Sequence, residues 1–179
     1  MTESDLTKHL VLGERDIATK IRRLAMEILE KAGERSLCFV GIHKRGITVA
    51  ERALVALKDE RATIPFGSLD ISLYRDDLDN LGTNPSLESS DIPFEMDGAH
   101  VILFDDVLFT GRTVRAAIDG LMAYGRPAKI ELAVLIDRGN RELPIYADYC
   151  GQVLETTRDE YIRVRFTETD GEEGIWLLK

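Results

Sequence analysis

Between Val101 and Thr113 the chain reads VILFDDVLFTGRT. Four apolar residues, ending at Phe104, have the makings of a buried strand. Two adjacent carboxylates, Asp105 and Asp106, stand at its carboxyl end. Thr110-Gly111-Arg112-Thr113 then opens a helical pattern that runs to Tyr124 and is closed by Gly125 and Pro127. A buried strand that turns directly into a helix is half of a strand–helix–strand unit. It needs a parallel neighbour reached by a right-handed crossover.

The remaining pattern supplies such neighbours. Ile17, Ile21, Leu24 and Ile28 recur at helical spacing within 14–32, and Gly33 stops that helix. A short strand, 37–42, leads through His43-Lys44-Arg45-Gly46 into a second helix, Ile47 to about Lys58. Leu69, Ile71 and Leu73 share one face of a strand spanning 64–74. Residues 129–136 form a further strand, and 161–166 and 175–178 two closing ones. Residues 75–98 hold two Pro, two Gly and many Asp, Ser and Asn, the composition of a long functional loop. The alternation predicts an α/β fold with a central parallel sheet flanked by helices. In such sheets ligands bind beyond the carboxyl ends of the strands. Loops 41–46 and 105–113 are therefore the places to look.

The 179 residues suit a single domain spanning 1–179. Two cysteines are too few for a disulfide framework, and no apolar run approaches the ~20 residues of a membrane helix. The expectation is a soluble, cytoplasmic protein that does not enter membranes. The net charge of -9 is unevenly spread: residues 61–110 carry 2 basic and 10 acidic side chains. Overall acidity weighs against broad nucleic-acid binding, which needs a positive surface.

A helix N-terminus presents unpaired amides and a positive dipole end, so it suits a phosphate. Gly111 permits close backbone approach, and Thr110 and Thr113 add hydroxyls. Asp105 and Asp106 cannot hold the same phosphate, because carboxylates only accept. They suit sugar hydroxyls or a magnesium shell. A ribose 5-phosphate fits both halves.

Taken whole, this segment resembles the phosphoribosyl-pyrophosphate (PRPP) signature of type I phosphoribosyltransferases. The resemblance implies that Asp105 and Asp106 hold the ribose hydroxyls, while Val107, Leu108, Phe109, Thr110, Gly111, Arg112 and Thr113 surround the 5-phosphate. It makes Lys44, Arg45 and Gly46 a pyrophosphate loop. It makes 75–98 a lid with Tyr74 and Arg75 at its stem, closing over the site. The apolar Phe109 stands where relatives handling 6-oxopurines place an acid.

The stretch AVLIDRGNRELPI, continued by Ala147-Asp148-Tyr149, together with LDISLYRDDL and FDDVLFTGRTVRAAIDGL, resembles the bacterial pyrimidine-operon regulatory protein family. That family combines mRNA attenuation, governed by uridine nucleotides, with uracil phosphoribosyltransferase activity. The similarity runs from the first helix to about residue 170. It implies a base pocket formed by Asp137, Arg138 and Ile162, a small hood at about 137–160, Mg2+ bound with PRPP, uracil as substrate, UMP as product, and a homodimer or higher homo-oligomer. A pyrimidine-operon leader mRNA would meet Arg22, Arg23, Lys31 and Arg141. Asn140, Tyr146 and Gln152 stand where regulators of the family often carry His, Arg and Lys, so the RNA function is expected to be weakened. Two alternatives remain: an RNA-binding regulator with minor catalysis, and a phosphoribosyltransferase for another base.

Overall fold

The computed structural model describes residues 7–61, 63–74 and 90–179. Five strands, β2 (Cys38–Ile42), β3 (Phe66–Leu69), β4 (His100–Leu108), β5 (Lys129–Asp137) and β6 (Tyr149–Val153), form one parallel sheet in the order β3-β2-β4-β5-β6. Helices α1 (Glu14–Ala32) and α2 (Arg45–Leu57) cover one face, and α3 (Arg112–Met122) the other.

Strand β4 shows why both faces must be covered. Ile102 and Phe104 join the core under α1 and α2, where the Phe39 and Phe104 rings lie 4.7 Å apart. Val101 and Leu103 join the core under α3, with Val114, Ala117 and Leu121. A continuous apolar strand is what a sheet covered on both sides requires. Helix α1 buries Ile17, Ile21, Leu24 and Ile28 as the spacing predicts. The Asp16 carboxylate accepts the Gly13 N–H at 3.2 Å, which fixes the start of the helix.

The expected elements are present with shifted ends. Strand β4 runs through both acids to Leu108, and α2 begins at Arg45 rather than Ile47. The strand expected over 64–74 ends at Leu69. A 3-10 turn, Ser72–Tyr74, follows, and Leu73 is exposed. The Asp70 carboxylate takes the backbone N–H (2.8 Å) and hydroxyl (2.6 Å) of Ser72, which competes with continued pairing.

A second, antiparallel sheet, β1 (Lys8–Leu12), β8 (Gly174–Leu178) and β7 (Tyr161–Arg165), joins both ends of the described chain in the order β1-β8-β7. A short helix, α4 (Thr167–Asp170), lies between β7 and β8. The segment expected as a hood is about 137–160. Strand β6, inside that range, belongs to the main sheet.

The lid expected over 75–98 is described only in part. Residues 75–89, including Arg75, lie outside the described residues. Residues 90–98 are fixed to the sheet: Ser68 and Asp91 exchange backbone hydrogen bonds of 2.8 and 2.9 Å, and Met96 is buried. Among the described residues no helix is long and apolar enough to cross a membrane.

Candidate active site

Because all five main strands run the same way, the turns after β3, β2, β4 and β5 emerge at one edge of the sheet. Register aligns Gly41 with Phe104 and Leu108 with Asp137. Residues 43–46, 109–113 and 137–145 therefore meet there.

Two glycines allow this meeting. A Cβ on Gly46 would overlap the Phe104 carbonyl oxygen and lie 3.2 Å from the Asp105 Cα. A Cβ on Gly41 would overlap the Ile47 backbone. The first turn of α2 thus lies directly against the end of β4, beside the two acids. The His43–Lys44 peptide bond is cis.

The starts of α2 and α3 share a feature that α1 lacks. Helix α1 has Glu14 and Asp16 in its first turn. Helices α2 and α3 have no acid there and no side-chain cap hydrogen bond. Neither positive end meets a carboxylate of its own helix, which suits an anion; at α3 the Arg112 N–H rests on the Thr110 hydroxyl at 3.3 Å. Gly111, at φ 93°, turns the chain into α3. The carbonyls of Leu108, Phe109 and Thr110 are engaged by the N–H of Arg138 (3.0 Å), the Arg141 guanidinium (2.7 Å), and the N–H groups of Glu142 and Leu143 (3.0 and 3.1 Å). What this turn offers a phosphate is its amides and the Thr110 and Thr113 hydroxyls.

Asp105 is buried and Asp106 half-buried. The Asp105 carboxylate accepts the Asp106 N–H at 2.9 Å. Burial, and then the neighbouring negative charge, push the Asp105 carboxyl well above the ordinary range. Burial raises Asp106 as well, and the positive charge of Arg45 opposes that rise. Two crowded carboxylates favour partners that donate hydrogen bonds or carry positive charge. Sugar hydroxyls and a hard divalent cation both meet that need, so the donor set fits magnesium carried by a polyanionic substrate. Among the described residues no group of three or more His, Cys, Asp or Glu side chains could hold a metal by itself.

Several side chains named from the sequence point elsewhere. Arg138 is buried: its Nε donates to the Thr156 hydroxyl at 3.0 Å, Nη2 reaches the carbonyls of Thr157 and Glu160, and its Cζ lies 3.9 Å from the Phe109 ring centroid. It supports the loop and covers Phe109. Asp137 accepts the Gly139 N–H at 2.9 Å and pairs with Arg141, so it shapes its own turn. Ile162 sits on β7 opposite Leu177 and packs toward the α1–α2 core.

The Tyr74 ring packs against Gly120 of α3, and its carbonyl accepts from Arg115 at 2.9 Å. These contacts hold residue 74 against α3. The side chains of Val107 and Leu108 enter the two cores, leaving only their backbone near the site. Arg112 pairs with Glu142 at 2.8 Å, and Lys44 is exposed. Burial pushes the Cys38 and Cys150 thiols up, away from thiolate chemistry.

The expected RNA-facing residues separate in the same way. Arg141 turns inward, donating to Phe109, Gly139 and Ile145 carbonyls and to Asp137. A guanidinium with its donors engaged in this way is a loop clamp. Arg23 reaches the carbonyls of Cys150 and Gly151 at 2.8 and 2.5 Å. Lys31 lies 4.5 Å from the Tyr149 ring centroid. Arg22 lines a groove with Arg52, Glu168 and Glu173.

Sequence reasoning missed Asp170, which binds Arg45 from 125 positions away. Within the 137–145 loop, Leu143 and Ile145 pack 3.3 Å from where a Gly111 Cβ would stand. Removing the loop clamp tests this part of the site. Arg141→Ala is expected to cost about 2–4 kcal/mol of stability, because it strands the Asp137 carboxylate and three carbonyls. Chemical denaturation measures it, and a decrease under 1 kcal/mol, on the order of a surface substitution, would contradict the clamp.

Residues 11–165 match the phosphoribosyl transferase domain family. The chain is 51% identical over 172 residues to the bifunctional protein PyrR of Roseiflexus sp. strain RS-1, covering 94% of each chain. It is 52% identical over 164 residues to the bifunctional protein PyrR 1 of Lactiplantibacillus plantarum, covering 89% of this chain and 91% of that one. A hypoxanthine phosphoribosyltransferase structure from Staphylococcus aureus superposes with a TM-score of 0.72 at 22% identity, over 98% of this chain and 93% of the other. One from Trypanosoma cruzi gives 0.71 at 19%, over 96% and 91%. These structural likenesses establish the type I phosphoribosyltransferase fold, with its five-stranded parallel sheet and flanking helices. The sequence relatives go further: this chain is a phosphoribosyltransferase-domain protein of the bifunctional PyrR family.

Proposed function

We propose that the protein converts uracil and PRPP to UMP and pyrophosphate. The observation that carries the reading is the edge where Asp105 and Asp106 lie between two helix N-termini that have no acids of their own. The 5-phosphate occupies the amides and hydroxyls of 110–113. The ribose hydroxyls donate to Asp105 and Asp106. The pyrophosphate lies toward Lys44, Arg45 and Gly46 at the start of α2. Bond formation joins uracil N1 to the ribose C1. The C1–oxygen bond to pyrophosphate breaks, and the N1 proton leaves.

Positive charge grows on the sugar and negative charge on the leaving group, so the protein acts by positioning and electrostatics. Magnesium, when bound with PRPP, reduces the substrate's negative charge. Arg45 faces the departing pyrophosphate, and Asp106 sets the charge beside it. The apolar Phe109, covered by Arg138, cannot serve as a proton acceptor toward a purine ring. This supports a pyrimidine base, seated toward the 137–145 loop. On this reading the enzyme works in the cytoplasm as a homodimer or higher homo-oligomer.

Thermal shift separates the ligands, since a ligand selective for the folded state raises its melting temperature. UMP, and PRPP with magnesium, are expected to raise Tm; GMP at equal concentration is expected not to. Stabilisation by GMP alone would move the base assignment.

Leader-RNA attenuation is the second activity implied by the relatives, and here it is proposed to be weak. Arg141 is internal, and Arg23 and Lys31 are engaged with β6 and the turn before it. Every RNA phosphate left without a protein cation lowers the salt-dependent part of affinity. Filter binding to the leader of the cognate pyrimidine operon is expected to show weak retention with or without UMP. Tight, UMP-enhanced retention would contradict it.

A further inference from the structure

Arg45 opens α2 at the point where the proposed pyrophosphate site begins. Its Nε (3.2 Å) and Nη2 (2.7 Å) both donate to the Asp170 carboxylate. Asp170 closes α4, and its carboxylate is fixed on its own side as well. One of its oxygens accepts the Phe166 N–H at 3.0 Å and the Thr169 hydroxyl at 2.8 Å. The Asp170 N–H donates to the Phe166 carbonyl at 2.7 Å. A carboxylate held in this way presents a rigid two-pronged acceptor to the guanidinium fork.

A second contact lies two turns further along α2. Arg52 donates to Glu168 at 2.9 and 2.7 Å and to Glu173 at 2.6 and 2.7 Å. Its Cζ lies 4.8 Å from the Phe166 ring centroid. The C-terminal segment therefore grips α2 twice. The Arg52 grip is remote from the acids of β4. The Arg45 grip sets a cation whose charge is felt at Asp106.

We infer that Asp170 is a positioning residue for phosphoribosyl transfer: it orients the Arg45 guanidinium, before substrate arrives, for the pyrophosphate of PRPP. The inference rests on the proposed reaction. A long, unheld arginine would give up its rotamer freedom on gripping the substrate; one already held has given it up on folding. Strands β7 and β8 with α4, all from the C-terminal part of the chain, thereby act on the start of α2 at residue 45.

The test is a kinetic cycle. Asp170→Asn retains an oxygen for the Phe166 N–H and removes the charge. It is expected to raise the KM for PRPP by about tenfold while the KM for uracil moves less than about twofold. Thr169→Ala leaves both partners in place but frees one anchor of the carboxylate, and is expected to raise the PRPP KM in the same direction by a smaller factor. In an Arg45→Gln background, Asp170→Asn is expected to add nothing.

Arg52→Gln serves as the structural control, expected to lower Tm while leaving the PRPP KM unchanged. Full effects of Asp170→Asn in the Arg45→Gln background would overturn the inference. So would an unchanged PRPP KM in both α4 variants, or an equal PRPP effect from Arg52→Gln. Absence of uracil turnover in the wild-type chain would instead remove the underlying reaction. Calorimetric binding of pyrophosphate with magnesium then reads the same Asp170–Arg45 cycle.

Discussion

Exchanging either acid of the Asp105–Asp106 pair for Asn is expected to lower kcat/KM for PRPP roughly 30- to 150-fold. That corresponds to removal of a charged hydrogen-bond partner from a ribose hydroxyl, about 2–3 kcal/mol. Stability should move the other way for Asp105→Asn. The Asp105 carboxyl is raised by burial and by Asp106. A carboxyl whose folded pKa exceeds its unfolded pKa binds protons more tightly in the folded state. Its ionisation therefore removes stability as pH rises from the unfolded pKa to the folded one, and the deficit persists above that. The Asn variant has no such charge and still accepts the Asp106 N–H. The ligand-free variant should melt higher than the wild type at neutral pH, and the gap should narrow as pH falls toward the unfolded carboxylate pKa of about 4. A variant that is less active and also less stable at neutral pH would show that the pair is structural.

Gly46→Ala carries the second large effect. The new methyl would overlap the Phe104 carbonyl oxygen, which belongs to the central strand and cannot yield like a side-chain end. Overpacking against backbone is expected to cost about 3 kcal/mol, and Tm should fall by roughly 6–12 °C at this size. Relief requires α2 to move away from β4, which separates Arg45 from Asp106. Activity at low temperature, where the variant remains folded, should therefore fall at least about tenfold. Wild-type activity with a lowered Tm would show that close packing of α2 on β4 matters for folding alone.

These two predictions rest on the part of the molecule that was most legible. Strand β4, its terminal acids, Gly111 and the following helix form one continuous local pattern. Apolar run, acceptor pair and glycine turn each have a single structural use there. The first helix was equally legible, because four apolar residues at helical spacing bury one stripe.

Strands β1 and β6 were not legible, for different reasons. Strand β1, KHLVL, is mostly exposed, and its partner β8 lies at the opposite end of the chain. Strand β6, YCGQV, sits at the sheet edge, where half-buried polar residues hide the strand pattern. Charge identity was readable, but direction was not. Arg138 and Arg141 look like ligand or RNA contacts in sequence; in the fold they brace Phe109 and the 137–145 loop. Tyr74 reads as a closing residue in sequence; the packing of its ring against Gly120 of α3 is visible only in the fold. The Arg45–Asp170 bond joins residues with no shared local pattern, so only the fold reveals it.

The fold also reconciles an acidic chain with an anionic substrate. The excess acid of residues 61–110 is offset at the site by helix N-termini and by Arg45, which come from outside that window. The most direct measurement of the central claim is a PRPP-dependent assay with magnesium across uracil, orotate, hypoxanthine and xanthine, reading nucleotide and pyrophosphate together. The account predicts stoichiometric UMP and pyrophosphate from uracil and little from the other three bases. Turnover of hypoxanthine or xanthine in preference to uracil, or no pyrophosphate release with uracil, would contradict it.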